Sequence, residues 1–232
     1  MDGILVVDKE KGWTSHDVCA FIRSRFRLKK VGHAGTLDPL ATGVLIVLLG
    51  RATKMFDHFS ASDKKYEGTM QLGIETDSHD IEGKTIAEVP WQHVTAEQIQ
   101  QAVQNFRGEL LQEPPMVSAL KHKGARLYQL ARRGQVVERT KRPITVYQFD
   151  IKSIELPLIH FSTHVSKGTY VRTLAHDLGK HLSTAGVLKN LRRTCCGEFS
   201  VEEAVSIQML KTMDPHELGK WVRQSSLSMV GK

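Results

Sequence analysis

Residues 29–50 read KKVGHAGTLDPLATGVLIVLLG and set a glycine-rich loop directly before an almost unbroken apolar run. The run at 44–50 is short, continuous and closed by glycine, a pattern typical of a strand covered on both faces. In the loop, Asp38 precedes Pro39, so its backbone is expected to be extended or in a turn. The stretch therefore predicts a rigid buried strand entered through a loop that presents one carboxylate.

Strand and helix patterns lie on both sides of this strand without a steady βαβ rhythm. A helix at 14–27 is predicted to begin at a capping box, because Thr14 and Asp17 have the required spacing. We expect an α+β fold with a mixed, mostly antiparallel sheet and flanking helices. The other predicted elements are strands at 3–9, 65–73, 144–156 and 158–166 and helices at 95–106 and 167–182.

The composition is that of an ordinary soluble globular chain. Its 232 residues are 41% hydrophobic and 25% charged, which excludes the disordered and fibrous classes. The N-terminus lacks the pattern of a secretory signal, and no segment predicts a membrane span. The three cysteines have neither a disulfide nor a zinc spacing. We therefore expect a cytoplasmic protein that has no membrane partner and no metal.

A formal net charge of +7 favours polyanionic partners such as nucleic acid. A solvated, lysine-rich surface gives the same total, so the positions of the charges decide between the two interpretations. Basic side chains concentrate in residues 23–30 and again in residues 113–143. The second segment opens with Pro-Pro and has few apolar residues, which predicts a mobile basic excursion with a short helix at 125–134.

Asp38 has no second acid near it in the sequence, and this restricts the chemistry of the loop. A typical glycosidase needs two carboxylates, although the fold could bring a second one from elsewhere. His33 and Asp38 alone are too few for a metal site, and the loop lacks the Gly-Lys-Ser/Thr end of a P-loop. Two interpretations stay open on the residues alone: Asp38 fixes a turn, or it acts as a lone nucleophile or base.

Several segments, in order, resemble the TruB-type tRNA pseudouridine synthases. GHAGTLDPLATGVL is similar to their signature, and the resemblance extends through DKEKGWTSHDV, KKYEGTMQLG, EPPMVSALKHKGARLYQLARRG and VSKGTYVRTLAHDLG, from about residue 3 to residue 207. It implies the pseudouridine synthase fold and the isomerisation of uridine 55 in the T-loop of tRNA. In that reaction the base flips out of its stack, and its glycosidic bond is cleaved and re-formed through carbon. Neither a cofactor nor a metal is implied.

The resemblance also implies roles for individual residues. Asp38 would be the catalytic aspartate, and Arg172 a guanidinium suited to orient a carboxylate. Tyr66 would stack on the extruded base. His33 would help to hold the opened RNA loop. Lys9 would lie in a segment that supports the catalytic loop, although the neighbouring Glu10 stands where the family has proline.

The remaining predicted site residues contact RNA or lie beside it. The basic excursion at 113–143 would be a mobile thumb that closes on tRNA, its cations binding phosphates without reading sequence. Leu191 falls in a stretch like the apolar pocket wall of the family. The residues predicted to bind substrate RNA are His33, Lys9, Lys65, Lys121, Arg126, Arg132, Arg142 and Leu191.

The resemblance sets expectations for domains and partners too. We expect a catalytic domain at 1–212 and a C-terminal tail at 213–232, with no RNA-binding PUA domain of the kind that many bacterial members carry. The partner would be the T-arm of tRNA, bound by a monomer without a guide RNA, because the guide-dependent relatives carry an extra C-terminal domain. The alternative function is an RNA chaperone for the tRNA elbow, which would use the same basic surface but need no carboxylate.

Overall fold

The structure is a computed structural model. It describes residues 1–118, 120–122, 124–135 and 137–224, with the backbone alone at 121, 122, 125, 126, 128 and 132. The helices are α1 (Ser15–Arg25), α2 (Phe56–Ser60), α3 (Ala96–Gln104), α4 (Leu127–Arg132), α5 (Val171–His181) and α6 (Ile207–Thr212), and 3₁₀ helices lie at Gly50–Met55, Val201–Glu203 and Pro215–Lys220. The strands are β1 (Gly3–Lys9), β2 (Val31–Ala34), β3 (Thr42–Leu49), β4 (Lys64–Leu72), β5 (Ile74–Thr76), β6 (Thr85–Glu88), β7 (Gly108–Gln112), β8 (Lys121–His122), β9 (Ala125–Arg126), β10 (Arg142–Glu155), β11 (Leu158–Val165), β12 (Gly186–Cys196), β13 (Phe199–Ser200), β14 (Val205–Ser206) and β15 (Val222–Arg223).

The chain divides into two compact units. The first contains Met1–Tyr66 and the described residues from Leu191 onward, and the second contains Glu67–Asn190. The chain passes from one unit to the other within β4 and again within β12. The predicted boundary between a catalytic domain at 1–212 and a tail remains a prediction. In this structure residues 213–224 belong to the first unit, where Leu218 is buried and β15 pairs with β1.

β3 is the central strand of the first unit. It pairs antiparallel with β1 along its length, antiparallel with β2 near its end, and parallel with β12 at Thr42 and Gly43. Every residue of β3 except Thr42 is buried, because the apolar run has neighbours on both faces. The strand predicted at 44–50 is therefore confirmed. Burying each large aliphatic side chain of such a strand contributes about 1.5–3 kcal/mol.

α1 begins where the capping box predicts. The Asp17 N–H donates to Thr14 Oγ1 at 3.0 Å, and the Thr14 N–H donates to Asp17 Oδ2 at 2.9 Å. Val18 and Ile22 of α1 are fully buried. A core of the same unit gathers the apolar side chains of β1 and β3 with those from later in the chain: Ile4, Val6, Ala34, Val44, Ile46, Leu48, Ala52, Phe59, Cys196 and Phe199.

The second unit has the strand order β4, β11, β10, β7. β11 lies within the strand predicted at 158–166, and buried and half-buried residues alternate along it, with Phe161 facing the core against Phe149 of β10. Helix α3 lies within the helix predicted at 95–106 and starts at a capping box formed by Thr95 and Gln98. Both α3 and α5 bury one apolar face. The β5–β6 hairpin, formed by a stretch that the sequence shows only as polar and turn-rich, was not predicted.

The basic excursion leaves this sheet between two paired strands. Gln112 at the end of β7 lies opposite Arg142 at the start of β10, so the intervening residues form a long connection that returns to its starting point. It contains β8, β9 and α4, and α4 lies within the predicted helix at 125–134. A salt bridge of 2.5 Å between Arg139 and Glu113 links the two ends of the connection.

In the first unit β1–β14 and β3–β12 are parallel pairs and β1–β3 is antiparallel, and in the second unit β10 pairs antiparallel with both β11 and β7. The predicted α+β class with a mixed, mostly antiparallel sheet is confirmed. Helices α1 and α5 have 11 residues each, whereas a membrane span needs about 20. None of the helices in the described ranges is long and apolar enough for that.

Candidate active site

The loop that carries Asp38 is held by the residues on either side of it. Leu37 and Leu40 are buried, whereas Pro39 is exposed and Asp38 is only half-buried. The Ala41 N–H donates to the Asp38 carbonyl at 3.0 Å and closes a turn. Both interpretations of Asp38 are thus compatible with the geometry: its backbone forms a turn while its carboxylate reaches the surface.

Two buried side chains support this loop from the N-terminal segment. Ser15 Oγ accepts from the Leu37 N–H at 2.9 Å and donates to the Leu37 carbonyl at 3.1 Å. Lys9 Nζ donates to the Trp13 carbonyl at 2.7 Å, to that of Glu10 at 3.0 Å and to that of Pro39 at 3.4 Å. The predicted supporting role of this segment agrees with these contacts. The prediction that Lys9 also binds RNA needs correction, because its side chain is fully buried and its ammonium is directed at backbone carbonyls.

Arg193 of β12 is a buried arginine that contacts the Asp38 loop. It was not predicted from the sequence. Its side chain is 1% exposed. Nε donates to the Val44 carbonyl at 2.7 Å, and Nη2 donates to the Gly35 carbonyl at 2.7 Å. Nη1 lies 3.5 Å from the Thr36 carbonyl. One guanidinium therefore connects the start of the Asp38 loop to the strand that follows it.

Tyr66 belongs to the same cluster. Arg193 hydrogen bonds to the Tyr66 phenol, and the charge of Asp38 also acts on it. Burial raises the pKa of Tyr66; Arg193 opposes this rise, and Asp38 adds to it. Because an ordinary tyrosine has a pKa near 10, the phenol is neutral at physiological pH. The structure thus brings two predicted residues, Asp38 and Tyr66, together with Arg193 in the first unit.

Arg172 lies in the second unit, in the first turn of α5, and is 3% exposed. Its Nη1 donates to the Ser78 carbonyl at 3.2 Å and lies 3.6 Å from Asp80 Oδ2, while Nη2 donates to the Val117 carbonyl at 2.6 Å. Tyr170 packs its ring against the guanidinium at 5.7 Å. Arg172 is therefore held in place by the β5–β6 hairpin and by the base of the excursion. Its predicted action on Asp38 remains a prediction.

Asp80 is the second residue that sequence reasoning missed. It is buried, and Oδ1 accepts from Ser78 Oγ at 2.8 Å and from the Glu82 N–H at 3.1 Å. These bonds fix the carboxylate that faces Arg172. The sequence carried a signal for this residue. An acid two residues after Ser78 and three before Gly83 is more typical of a structured turn than of a solvated linker.

Two stacked imidazoles extend this cluster. The rings of His79 and His176 lie parallel with their centroids 3.8 Å apart. His176 has Glu75 Oε1 at 3.1 Å from Nε2 and Asp177 Oδ1 at 3.0 Å from Nδ1. Burial, followed by the charge of His176, lowers the pKa of His79 to about 3. His79 is therefore neutral at physiological pH, and its Nδ1 lies 3.4 Å from Thr173 Oγ1, next to Arg172.

The other predicted RNA-binding residues lie at various places in the two units. His33 is half-buried in β2 opposite Val47, and Lys65 is exposed on β4. Leu191 is half-buried, and its carbonyl lies 3.5 Å from Thr42 Oγ1. Arg142 is exposed at the start of β10. The side chains of Lys121, Arg126 and Arg132 lie outside the described part of the structure.

No group of three His, Cys, Asp or Glu side chains is arranged to hold a metal ion within the residues that the structure describes. The groups gathered around Asp38 are a phenol, a guanidinium and backbone carbonyls. The chemistry open to this cluster is that of a carboxylate acting as nucleophile or base beside an aromatic ring.

Comparison with known proteins gives matches along nearly the whole chain. The family model "TruB family pseudouridylate synthase (N terminal domain)" matches residues 23–171, and "tRNA pseudouridylate synthase B C-terminal domain" matches residues 172–224. A tRNA pseudouridine synthase B of Geobacter sulfurreducens is 46% identical over 213 residues, which is 92% of this chain and 70% of that protein. The protein of the same name from Opitutus terrae is 42% identical over 234 residues, covering 100% of this chain and 97% of its own.

A solved structure has the same fold. In the crystal structure of a Cbf5-Nop10-Gar1 complex, one chain superposes with a TM-score of 0.72 and 30% sequence identity over 94% of this chain. The match spans 55% of that chain's length.

Proposed function

Because the chain belongs to the TruB family of pseudouridine synthases, we propose that it converts uridine 55 in the T-loop of tRNA to pseudouridine, with Asp38 as the catalytic residue. Isomerisation of a tRNA uridine is the activity expected of this family. The observation that carries the assignment of Asp38 is its loop: the carboxylate is partly exposed on a turn whose backbone is fixed by Lys9, Ser15 and Arg193.

The reaction balances without any other reactant. The bond between N1 of the uracil and C1′ of the ribose breaks, the base turns, and a bond forms between C5 and C1′. The proton on C5 leaves and N1 ends with a proton, so the product is an isomer of the substrate. One carboxylate that attacks and later departs is sufficient for this sequence of steps. This explains why a loop with so many special residues needs only one acid.

A fixed loop is an advantage for such a nucleophile. Holding the attacking group in the correct position replaces a bimolecular encounter by an effectively unimolecular step. The carbonyls of Gly35 and Pro39, on either side of Asp38, are each bonded to a buried cation. The backbone therefore needs little reorganisation when the nucleotide binds.

Tyr66 supplies the surface for the extruded base. Its ring lies beside the loop, and its phenol is neutral because burial raises the pKa of the group. A neutral aromatic ring can stack on uracil, whatever the orientation of the base during its rotation. The hydroxyl is anchored to Arg193, which keeps the ring in position between turnovers.

Binding must offset the cost of unstacking the uridine, which is roughly a few kcal/mol. The cations of the excursion are suited to this task, since Arg133, Lys141 and Arg142 are exposed and phosphate contacts add affinity without sequence choice. In this proposal the excursion closes on the T-arm, and His33 and Lys65 contact the opened loop. Arg172, held by Asp80, acts on the reacting nucleotide with Asp38. The protein works in the cytoplasm as a monomer, without a guide RNA or a cofactor.

The experiment is to incubate the purified protein with unmodified full-length tRNA and to map pseudouridine at nucleotide resolution. We expect one modified position, uridine 55. A tRNA transcript with cytidine at position 55 is the matched control and should remain unmodified. Binding of tRNA without any pseudouridine would overturn the proposal in favour of an RNA chaperone, and modification at another site would overturn the assigned position.

A further inference from the structure

A strongly basic pocket lies at the end of the β2–β3 hairpin opposite to Asp38. The cavity has a volume of about 520 Å³ and is bounded by the start of β1, by the turn after α1 and by the 3₁₀ helix after β3. Its ionisable side chains are Asp2, Arg27, Lys29, Lys30, Arg51 and Lys54. Five cations thus line one concave surface against a single carboxylate.

That carboxylate is already engaged. Asp2 Oδ2 lies 2.6 Å from Arg51 Nε, and Asp2 Oδ1 accepts from the Arg51 N–H at 2.9 Å. The other four cations take part in none of the ion pairs found among the described residues, and all four are exposed. The pocket therefore carries a concentrated positive charge that no ion pair within the described residues neutralises.

The backbone that carries these cations is fixed. The Leu28 N–H donates to the Arg23 carbonyl at 2.9 Å, and the Gly50 N–H donates to the Lys30 carbonyl at 2.8 Å. Gly50 has a φ of +56°, and a Cβ at this position would lie 2.0 Å from Asp2 Oδ1, so the close approach of the pocket walls requires glycine. A cluster of cations on a backbone fixed in this way is suited to bind phosphate groups.

The pocket lies too far from Asp38 to contact the nucleotide that reacts there. β3 has eight residues between the Asp38 loop and Gly50, and the seven steps between them, at about 3.4 Å each, span roughly 24 Å. One extruded nucleotide cannot occupy both ends, whereas the backbone of a folded tRNA can. We propose that the pocket formed by Arg27, Lys29, Lys30 and Lys54 binds phosphodiester groups of the tRNA substrate far from the target uridine.

This inference rests on the proposed function, because it takes tRNA as the substrate. It differs from the predicted thumb contacts, which lie in another part of the chain. In this arrangement the first unit binds the RNA at two places along the β2–β3 hairpin. Asp38 lies at one end, and the pocket at the other end binds the phosphodiester backbone of the tRNA. The pocket contacts would contribute affinity and orientation but not chemistry.

The test compares two double variants of the full chain, each of which removes two exposed lysines. Lys30→Ala with Lys54→Ala empties part of the pocket, and Lys84→Ala with Lys152→Ala is the control in the second unit. For each, the Kd of full-length tRNA is measured over a range of salt concentrations, together with the single-turnover rate at saturating tRNA. Two lost phosphate contacts should reduce the slope of log Kd against log salt by about 1.4–1.8 and weaken binding by about tenfold at 0.1 M salt.

The pocket variant should keep the wild-type rate at saturation, and the control should keep the wild-type salt slope. Lys30→Arg with Lys54→Arg should keep the wild-type slope, which would exclude misfolding as the cause of the change in the alanine variant. An unchanged slope in the pocket variant, or an equal change in the control, would overturn the inference. Failure of the proposed function has a different signature, since the wild-type protein would then form no pseudouridine whatever its salt dependence.

Discussion

Replacing Arg193 by lysine keeps a positive charge but removes the guanidinium fork beneath the Asp38 loop. The side chain is 1% exposed, and two of its nitrogens donate to the Val44 and Gly35 carbonyls at 2.7 Å from different directions. A lysine ammonium reaches one of these positions at most, so at least one buried carbonyl loses its donor. A hydrogen bond to a charged group contributes about 1.5–3 kcal/mol. We therefore expect Arg193→Lys to lower the free energy of unfolding by about 2–4 kcal/mol, which for this chain length is a fall in Tm of about 4–16 °C.

The neighbouring residue provides a matched control. Arg192 makes a bidentate pair with Asp8, at 3.1 and 2.7 Å, but its side chain is 42% exposed. Exposed pairs contribute about 1 kcal/mol or less, so Arg192→Lys should have little effect on stability. The assays are urea unfolding and single-turnover formation of pseudouridine at a temperature where both variants are folded. We expect a slower single-turnover rate for Arg193→Lys only. Equal stability of the two variants, or a wild-type rate for Arg193→Lys, would refute the supporting role of Arg193.

Gly43 has a φ of +99°, and a Cβ there would lie 2.2 Å from the Arg193 carbonyl oxygen. Gly43→Ala should therefore lower the free energy of unfolding in urea by about 2–5 kcal/mol, whereas Gly12→Ala, with a φ of +86° and open space around it, should lower it by about 1–2 kcal/mol. Similar losses in the two variants would contradict the close approach at Gly43. Burial, followed by the charge of the stacked His176, lowers the pKa of His79 from 6.5 to about 3. Between these two pH values the unfolded chain binds a proton at His79 and the folded chain does not. The free energy of unfolding should therefore fall by about 2 kcal/mol from pH 8 to pH 5. This loss should disappear in His79→Asn, because asparagine tolerates the φ of +65°. A pH profile of His79→Asn equal to that of the wild type would show that His79 is protonated in the folded state. Tyr66→Phe keeps the ring and should retain most of the single-turnover rate, whereas Tyr66→Leu should lose it, and equal losses would argue against stacking.

The parts of the fold that depend on local sequence were predictable. The apolar run of β3, the capping boxes at Thr14 and Thr95, and the alternation along β11 each depend on residues within a few positions of one another. These signals sufficed for the α+β class and for the loop that presents Asp38. Residue types and their order also carried the resemblance to a family, from which the proposed roles of Tyr66 and Arg172 come.

The supporting contacts could not be predicted because they join distant parts of the chain. Arg193 is separated by about 150 residues from the carbonyls it binds, and nothing local distinguishes it from Arg192, its exposed neighbour. Asp80 lies in a polar stretch whose hairpin pairing depends on bonds across the β5–β6 turn. Lys9 ends a strand pattern that predicts burial for its neighbours, but a lysine ammonium is rarely buried unless it is hydrogen-bonded. The carbonyls that accept from Lys9 belong to two separate turns, so its burial could not be predicted from the neighbouring residues.

The central claim is that the carboxylate of Asp38 carries out the chemistry and is not needed to hold tRNA. The most direct measurement is single-turnover formation of pseudouridine by Asp38→Asn at saturating tRNA, with the Kd for tRNA measured in parallel. We predict no product above background while the Kd stays within about threefold of wild type, because asparagine preserves the shape of the loop but is a poor nucleophile. Product formation at the wild-type rate by Asp38→Asn would contradict the account.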